Sequence, residues 1–331
     1  MTLRIVITVV LVVIISNALQ VPEMLLSAYM VLFATKENKV VTALAGVLVI
    51  LGVTLAIAAS ILIYRFTFDY PELRIPGIAA LLFGGFFFSR VFALGPIAFG
   101  IGFVLAATQS IAELMPDAET LVRELLWLWV AIAYPIALTI VVNLVLGPAK
   151  EAPPMPHKRL FAADTFTNPE YVRYALKVTL SAMICYIIYT GLDWPGIHTA
   201  FITCCFISLE NLRATLHKGA LRLVGCMIGG LIGFLSIMYL VPHMESIVSL
   251  VLLVAAVSAL AGWVAAGSER IAYGGLQIGL AFYMCMLQSF EPDTDFVKIR
   301  DRLVGIVLGI VVTTIVFRYC WPERETSEIA A

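Results

Sequence analysis

Residues 246–266 read SIVSLVLLVAAVSALAGWVAA, a run without a single charged side chain. A helix of about 20 apolar residues crosses the roughly 30 Å hydrocarbon core of a bilayer. Similar runs recur along the chain, in which 61% of the 331 residues are hydrophobic and 13% are charged. A soluble domain, with about 45–50% apolar residues, could not bury so much apolar surface. The sequence therefore predicts an all-α integral membrane protein.

The apolar runs and the turn signals between them predict twelve membrane segments. These are 3–20, 24–35, 39–64, 75–93, 95–114, 122–147, 172–191, 196–209, 217–241, 246–266, 270–289 and 301–320. Segments 24–35 and 196–209 are shorter than the roughly 17 residues of an untilted span. We expect these two segments to re-enter the membrane or to tilt within the bundle.

The segments fall into two sets of six, separated by a stretch rich in proline. Residues 148–170 carry five prolines and several charges, which indicates a cytoplasmic linker. The linker joins a first membrane repeat (1–147) to a second (171–322), and residues 323–331 form a cytoplasmic tail. Most of the 21 Lys and Arg residues fall on the side of the N-terminus. The positive-inside rule then predicts that both termini are cytoplasmic.

The two sets align when the chain is shifted by about 175–180 residues, which indicates an internal repeat. The alignment pairs Val21-Pro22 with Trp194-Pro195, Lys39 with Lys218, Ala43 with Arg222, Gly46 with Gly225 and Arg90 with Arg270. Because each half has six crossings, the halves enter the membrane from the same side. Their pseudo-two-fold axis is then predicted to lie along the membrane normal, with a substrate path between the halves.

A stretch from His217 to Gly233 combines basic residues with glycines at every fourth position. Gly225, Gly229 and Gly233 share one helix face, and Gly305 and Gly309 repeat this spacing in the last segment. Small residues at such spacing let another helix approach closely, so we assign these five glycines to helix packing.

Basic residues near the membrane are candidates for an anion path. Arg222 and Lys218 open the glycine-rich segment, and Arg222 either snorkels to the interface or lies in the path as a fixed positive charge. Arg302, which lies close to Lys298 and Arg300, either pairs with acidic residues at the surface or faces the cavity between the halves. The symmetric pair Arg90 and Arg270 is predicted to line the inner part of the same path.

Proton coupling would require a titratable group inside the membrane. The candidates are Glu210, Glu269, Asp193 and His198. Each lies at or inside a segment end, where helix capping is the competing explanation.

Several classes of function lack support. The net charge of −1 and the absence of a basic stripe give no sign of nucleic-acid binding. Walker, HExxH and GxSxG motifs are absent, so we predict neither an enzyme nor a cofactor. The six cysteines have no metal-ligand spacing, so no metal site is predicted.

The second half resembles the fusaric acid resistance and aromatic acid exporter superfamily, which includes p-hydroxybenzoic acid efflux subunits and, more distantly, plant malate channels. The matching residues are Tyr171 to Lys177, Asp193-Trp194-Pro195, Lys218 to Gly233, Ser268 to Gly275, Arg302 to Gly305 and Trp321-Pro322. The resemblance covers about 170–322 and reaches the first half only through the repeat. Because the chain has only a short linker and tail, it resembles a compact branch without the large cytoplasmic domain.

The resemblance implies a bacterial inner-membrane subunit that exports aromatic carboxylic acids or related organic anions and drugs. It also implies a periplasmic adaptor of the HlyD membrane-fusion type as partner, and the proton gradient as driving force. Two alternatives stay open: a passive organic-anion channel, and a scaffold of an efflux complex that transports nothing. A homo-oligomer is also possible.

Overall fold

The structure is a computed structural model. It describes residues 1–93, 95–111, 115, 117–148, 161–209, 211–244, 246–287 and 296–320, without the side chains of residues 96, 296 and 298. Twelve α-helices lie within these ranges, and each overlaps one predicted segment. They are α1 (Thr2–Leu19), α2 (Met24–Ala34), α3 (Lys39–Thr67), α4 (Pro71–Val91), α5 (Gly95–Ser110), α6 (Ala118–Leu146), α7 (Pro169–Gly191), α8 (Thr199–Ile207), α9 (Leu212–Leu235), α10 (Ile247–Ala265), α11 (Glu269–Met286) and α12 (Phe296–Tyr319).

Several helices begin before their apolar runs because polar residues cap them. The side chain of Asp117 accepts a hydrogen bond from the backbone N–H of Thr120 at the start of α6. Asn211 accepts in the same way from Ala214 at the start of α9, five residues before the predicted start at 217. Such caps satisfy backbone donors that have no partner within the helix.

Eight helices of the described ranges are long and apolar enough to cross a membrane. The 11 residues of α2 and the 9 residues of α8 span only about 16 and 14 Å at 1.5 Å per residue, so neither crosses the membrane core alone. α11 has 18 residues but is not among the eight, because its polar positions, which include Arg270 and Gln277, lower its mean hydropathy. The chain is thus an all-helical, multi-pass membrane protein.

The two halves meet where α1 packs on α10, α4 on α7, and α2 on α11. One buried cluster joins Val9 of α1 and Leu32 of α2 to Val254 of α10 and Phe282 of α11. A second cluster joins α4 and α5 to α7, α8 and α12. The short helix α2 therefore lies against the second half, where its position matters for the candidate site.

Backbone geometry recurs at a spacing of 173 residues. Gln20 and Asp193 both adopt the left-handed conformation, with φ of 52° and 49°, directly before Val21-Pro22 and Trp194-Pro195. Each residue ends the turn that follows the first helix of its half.

The same spacing relates the starts of α3 and α9. Asn38 and Asn211 are their N-caps. The backbone N–H of Lys36 donates to Thr42 Oγ1, and that of Leu209 donates to Thr215 Oγ1, both at 3.0 Å. These matched hydrogen bonds show that the loops before α3 and α9 have equal length.

These features agree with the predicted alignment at Val21-Pro22, whereas in α3 they favour a spacing six residues shorter than the predicted one. A spacing of 173 residues relates Lys218 to Ala45 and Arg222 to Val49. The two spacings differ because the predicted one was based on the identity of single residues, Lys39 with Lys218 and Gly46 with Gly225. The spacing of 173 residues is based on the helix caps Asn38 and Asn211.

Arg90 and Arg270 differ in their position within a helix. Arg90 lies in the last turn of α4, and Arg270 lies in the first turn of α11. That both arginines line one path stays a prediction.

Part of the predicted linker lies along the end of α4. The backbone N–H of Ala162 donates to the carbonyl oxygen of Val91 at 2.8 Å, and Phe161 forms an isolated antiparallel bridge with Phe92. Residues 149–160 lie outside the described residues.

Candidate anion-binding site

Arg222 is buried inside the helical bundle. It lies ten residues into α9, about 15 Å from the start of the helix at 1.5 Å per residue. Its side chain is 3% exposed, whereas a snorkelling arginine keeps its guanidinium in water. Of the two alternatives that the sequence left open for this residue, the snorkelling one does not apply.

The guanidinium of Arg222 has three neutral hydrogen-bond partners from two other helices. Nε donates to Thr203 Oγ1 of α8, and Nη1 donates to the Tyr273 hydroxyl and to Gln277 Oε1 of α11, all at 3.1 Å. Lys218, one turn earlier on α9, places its ammonium group 5.0 Å from the centre of the Tyr273 ring. Residues four apart share a helix face, so α9 and α11 present one basic and polar strip to each other.

Glycine residues of α9 allow its backbone to approach that of α11 closely. A Cβ atom at Gly225 would lie 2.7 Å from the carbonyl oxygen of Gly274, and one at Gly229 would lie 2.2 Å from that of Ile278. At Gly233 the obstacle would be Cys285, at 2.6 Å. These distances are shorter than real van der Waals contacts. The close approach of α9 to α11 is therefore possible because glycine has no side chain.

Two glycines of α12 position the helix that carries Thr203. A Cβ atom at Gly305 would lie 2.1 Å from Thr199 Oγ1, and one at Gly309 would lie 2.8 Å from Thr203 Cβ. α8 therefore lies directly against α12, and this contact presents Thr203 to Arg222.

Arg302 is the second buried arginine of this region. It is 8% exposed and lies in the second turn of α12. Its Nη1 lies 3.0 Å from the sulfur of Met284. Its Nε and Nη2 atoms are buried and have no hydrogen-bond partner among the described residues.

Tyr29 of α2 brings the first half of the chain into the site. Tyr29 is 9% exposed, and its hydroxyl lies near Gln277, Arg222 and Arg302. Gln277 is 1% exposed, and its Nε2 atom has no hydrogen-bond partner within the described part of the chain. The site thus combines four helices of the second half with one tyrosine of the first.

Charge is unbalanced among the buried residues. The buried charged side chains in the described ranges are Arg4, Arg74, Lys177, Arg222, Asp301 and Arg302. Asp301, the single carboxylate of this set, binds Arg300 at 2.7 Å and the indole N–H of Trp194 at 2.9 Å. No described carboxylate forms an ion pair with Arg222 or Arg302. An unpaired buried charge costs about 3–5 kcal/mol, so the arrangement favours an anion as the missing partner.

Comparison with known proteins finds a family similar to this part of the chain. The model of the fusaric acid resistance protein-like family matches residues 183–316. The second half of this chain is therefore similar to that family. Residues Thr203, Lys218, Arg222, Gln277 and Arg302 of the candidate site all lie in the matched region.

Two curated relatives are also similar to this chain. Over 179 residues the chain is 39% identical to the multidrug resistance protein MdtO of Escherichia coli (strain K12) and 38% identical to that of Shigella flexneri. The alignments cover 54% of this chain and 25% of each relative, so the chain spans about a quarter of the length of the curated relatives that it matches. No solved structure matches the chain.

The other predicted basic residues lie outside this cluster. Arg270 is exposed and lines a cavity of about 540 Å³ with Asn211, Arg213, Ala214 and His217 at the start of α9. The guanidinium of Arg90 lies 5.1 Å from the centre of the Tyr174 ring. Arg300 is exposed and pairs with Asp301, so the surface alternative applies to Arg300 and not to Arg302.

The residues proposed for proton coupling are not gathered at the site. Glu269 and Asp193 are exposed at the ends of helical segments, and Glu210 lies outside the described residues. His198 is half-buried, with Nδ1 2.9 Å from the carbonyl oxygen of Pro195, and it lies within electrostatic range of Arg302.

The sequence analysis did not select Tyr29, Thr203 or Gln277. Gln277 carries a usable signal, since it is a polar residue in a membrane segment one helical turn after Tyr273. Thr203 and Tyr29 carry none, because threonine and tyrosine are common within apolar helices and only tertiary packing brings them to Arg222.

Proposed function

We propose that this chain is an efflux transporter subunit of the bacterial inner membrane that exports aromatic carboxylic acids or related organic anions. The main support for this proposal is the pair of buried arginines, Arg222 and Arg302, which have no carboxylate partner among the described residues. Ionisable residues inside a membrane usually mark a transport path. The similarity to the fusaric acid resistance protein-like family and to the multidrug resistance protein MdtO supports a role in resistance to toxic compounds, which export would provide.

The proposal includes an architecture of two parallel six-segment repeats around one path, with both termini in the cytoplasm. The turn at Gln20 and Asp193 and the caps at Asn38 and Asn211 support it, because matched backbone features recur in order. The contact of α1 with α10 is matched by that of α4 with α7, as expected if α7 and α10 are the counterparts of α1 and α4. A path between such halves is the usual arrangement in transporters built from repeats.

The proposed partners and energy source follow from the resemblance to the exporter superfamily. We propose a periplasmic adaptor of the membrane-fusion type as the partner, and the proton-motive force of the inner membrane as the energy source.

The test is export of radiolabelled aromatic acids from cells with and without the chain. Each acid is measured with and without the adaptor, and with and without an uncoupler. We expect export that requires the chain and stops with the uncoupler. Arg222→Gln should abolish this export, whereas Arg173→Gln, which removes an exposed arginine paired with Glu170, should leave it unchanged.

Three results would contradict the proposal. Flux that follows the anion gradient and ignores the uncoupler indicates a passive channel. An intact complex that exports no acid indicates a scaffold. Export at the normal rate by a folded Arg222→Gln variant would show that the substrate path does not depend on Arg222.

A further inference from the structure

The unpartnered atoms of Arg302 form one edge of its guanidinium. Nε and Nη2 carry nearly parallel N–H groups, and this fork matches the two oxygens of a carboxylate. Both atoms are buried and without a hydrogen-bond partner in the described ranges, while Nη1 is turned towards Met284. The edge suited to a carboxylate is therefore the edge left open.

A third open donor lies in the same region. Gln277 Nε2 is buried and unpartnered, while its Oε1 accepts from Arg222. Tyr29 lies near both Gln277 and Arg302, which places the two residues in one region. Most buried polar groups in proteins are hydrogen-bonded, and three open donors in one region point to an anionic ligand.

The positive charge of this site is permanent. An arginine side chain does not lose its proton in a protein. A neutral carboxylic acid offers such a fork one good acceptor, whereas the ionised carboxylate offers two. The site therefore selects the ionised form.

The described titratable groups near the two arginines include Lys218, His198, Tyr29, Tyr273, Cys205 and Cys226. Protonation of Lys218 or His198 adds positive charge and strengthens anion binding. A proton and an anion would then bind together and move in the same direction. Export driven by proton entry needs the opposite, namely a proton that competes with the substrate.

We infer that this site binds its substrate as the ionised carboxylate, on the open edge of Arg302 with Gln277, and that each export event carries net negative charge out of the cell. The inference rests on the proposed function and adds the charge form of the substrate and the source of energy. Because the cytoplasm is electrically negative, the membrane potential itself drives such an anion outwards. A potential of about 100 mV supports roughly 50-fold accumulation of a monoanion.

The test uses the purified full chain in proteoliposomes with [14C]benzoate, [14C]4-hydroxybenzoate and [14C]cinnamate, and [14C]benzamide as the neutral probe. Potassium gradients with valinomycin set the potential at equal pH, and a pH gradient is imposed separately at zero potential. We expect an interior-positive potential to drive uptake of at least one acid and an interior-negative potential to suppress it. The pH gradient alone should change the initial rate less than twofold, and benzamide should not be transported.

The outcomes separate the two proposals. Uptake that follows the pH gradient and ignores the potential overturns the inference but leaves an exporter. Absence of chain-dependent uptake of every acid, with the chain folded, overturns the proposed function itself. Transport of benzamide at the rate of benzoate overturns selection of the ionised form.

Arg302→Lys tests the fork separately, because it keeps the charge but removes the parallel N–H pair. We expect the apparent KM for the acid to rise about tenfold while uptake still follows the potential. Arg173→Lys, the same change at an exposed position, should leave KM unchanged. An unchanged KM in a folded Arg302→Lys variant would remove Arg302 from the binding site.

Discussion

The third and fifth helices of the second half meet through the backbone at a glycine, whereas at the corresponding glycine of the first half the neighbour is an isoleucine side chain. At Gly225 of α9 a Cβ atom would lie 2.7 Å from the backbone oxygen of Gly274. At Gly52 of α3, 173 residues earlier, the nearest atom would be the side-chain Cγ1 of Ile101 at 3.2 Å. The helices of the second half are therefore in closer backbone contact.

The same spacing relates the polar site to an apolar region of the first half. Lys218, Arg222, Tyr273 and Gln277 correspond to Ala45, Val49, Gly100 and Val104. The corresponding positions of the first half carry small or apolar residues. Among the described residues, the basic and polar strip between the third and fifth helices is therefore found in the second half alone. The first half contributes Tyr29 to the site in the other half. The comparison teaches that matched backbone features can accompany a buried basic cluster in one half and apolar residues at the corresponding positions of the other.

Copying the residue of the first half into the second should have the largest effect. Arg222→Val removes the charge and leaves Thr203, Tyr273 and Gln277 without their shared donor. A charged hydrogen bond contributes about 1.5–3 kcal/mol, so transport of a labelled aromatic acid should fall at least about 30-fold. The rate is measured in proteoliposomes at equal amounts of folded protein. Val49→Ala is the matched control and should change the rate less than twofold; equal losses in both variants would contradict the asymmetry.

The glycine contacts predict a difference in stability between the halves. In Gly229→Ala the new methyl group would meet the backbone oxygen of Ile278, which cannot move without shifting α11. Overpacking of this kind costs about 1–3 kcal/mol, and we expect the Tm in detergent to fall by several degrees. In Gly52→Ala the neighbour is the flexible side chain of Ile101, so the Tm should change little. Similar Tm values for the two variants would show that α9 and α11 tolerate separation.

Removal of one hydroxyl tests the contribution of the first half. Tyr29→Phe keeps the ring and deletes the group that interacts with Gln277. The net value of one such interaction is about 1 kcal/mol, so the apparent KM for the acid should rise about fivefold without a change in Tm. The control is Tyr283→Phe, which deletes a hydroxyl bonded to Ser258 at 2.7 Å. The Tyr283→Phe variant should have a lower Tm and an unchanged KM. A lower Tm and an unchanged KM in the Tyr29→Phe variant would show that Tyr29 contributes to packing alone.

The smallest predicted effect concerns two of the lysines that lie over aromatic rings. Lys218 lies 5.0 Å from the ring of Tyr273, and Lys36 of the first half lies 5.5 Å from that of Phe33. Lys218→Met removes a positive charge beside Arg222 and should raise KM for the acid about two- to threefold. Lys36→Met removes an equivalent contact far from the buried arginines, and KM should not change. An effect of equal size in both variants would indicate a general surface-charge effect.

Much of the secondary structure could be predicted from the sequence. Each predicted segment overlaps a helix. For the long segments the reason is that a run of about 20 apolar residues has no stable alternative in a bilayer. The early starts of α6 and α9 could also have been predicted, since Asp117 and Asn211 are typical capping residues.

The register of the repeat could not be read reliably from residue identity. Lys39 and Gly46 match Lys218 and Gly225 by type, yet the matched caps place Ala45 and Gly52 at those positions. Lysine and glycine are common residues, whereas the hydrogen bond from Lys36 to Thr42 and its counterpart at Leu209 depend on loop geometry.

By itself, the sequence determined that this protein lies in a membrane as a bundle of helices, and that α9 presents a face of glycines. These properties depend on local composition and helical periodicity. Tertiary structure alone decided that Arg222 is buried and that Arg302 keeps an open edge. Their neighbours, Tyr29, Thr203 and Gln277, are far apart in sequence and come from three helices, so no local pattern could predict that they meet at one charged site.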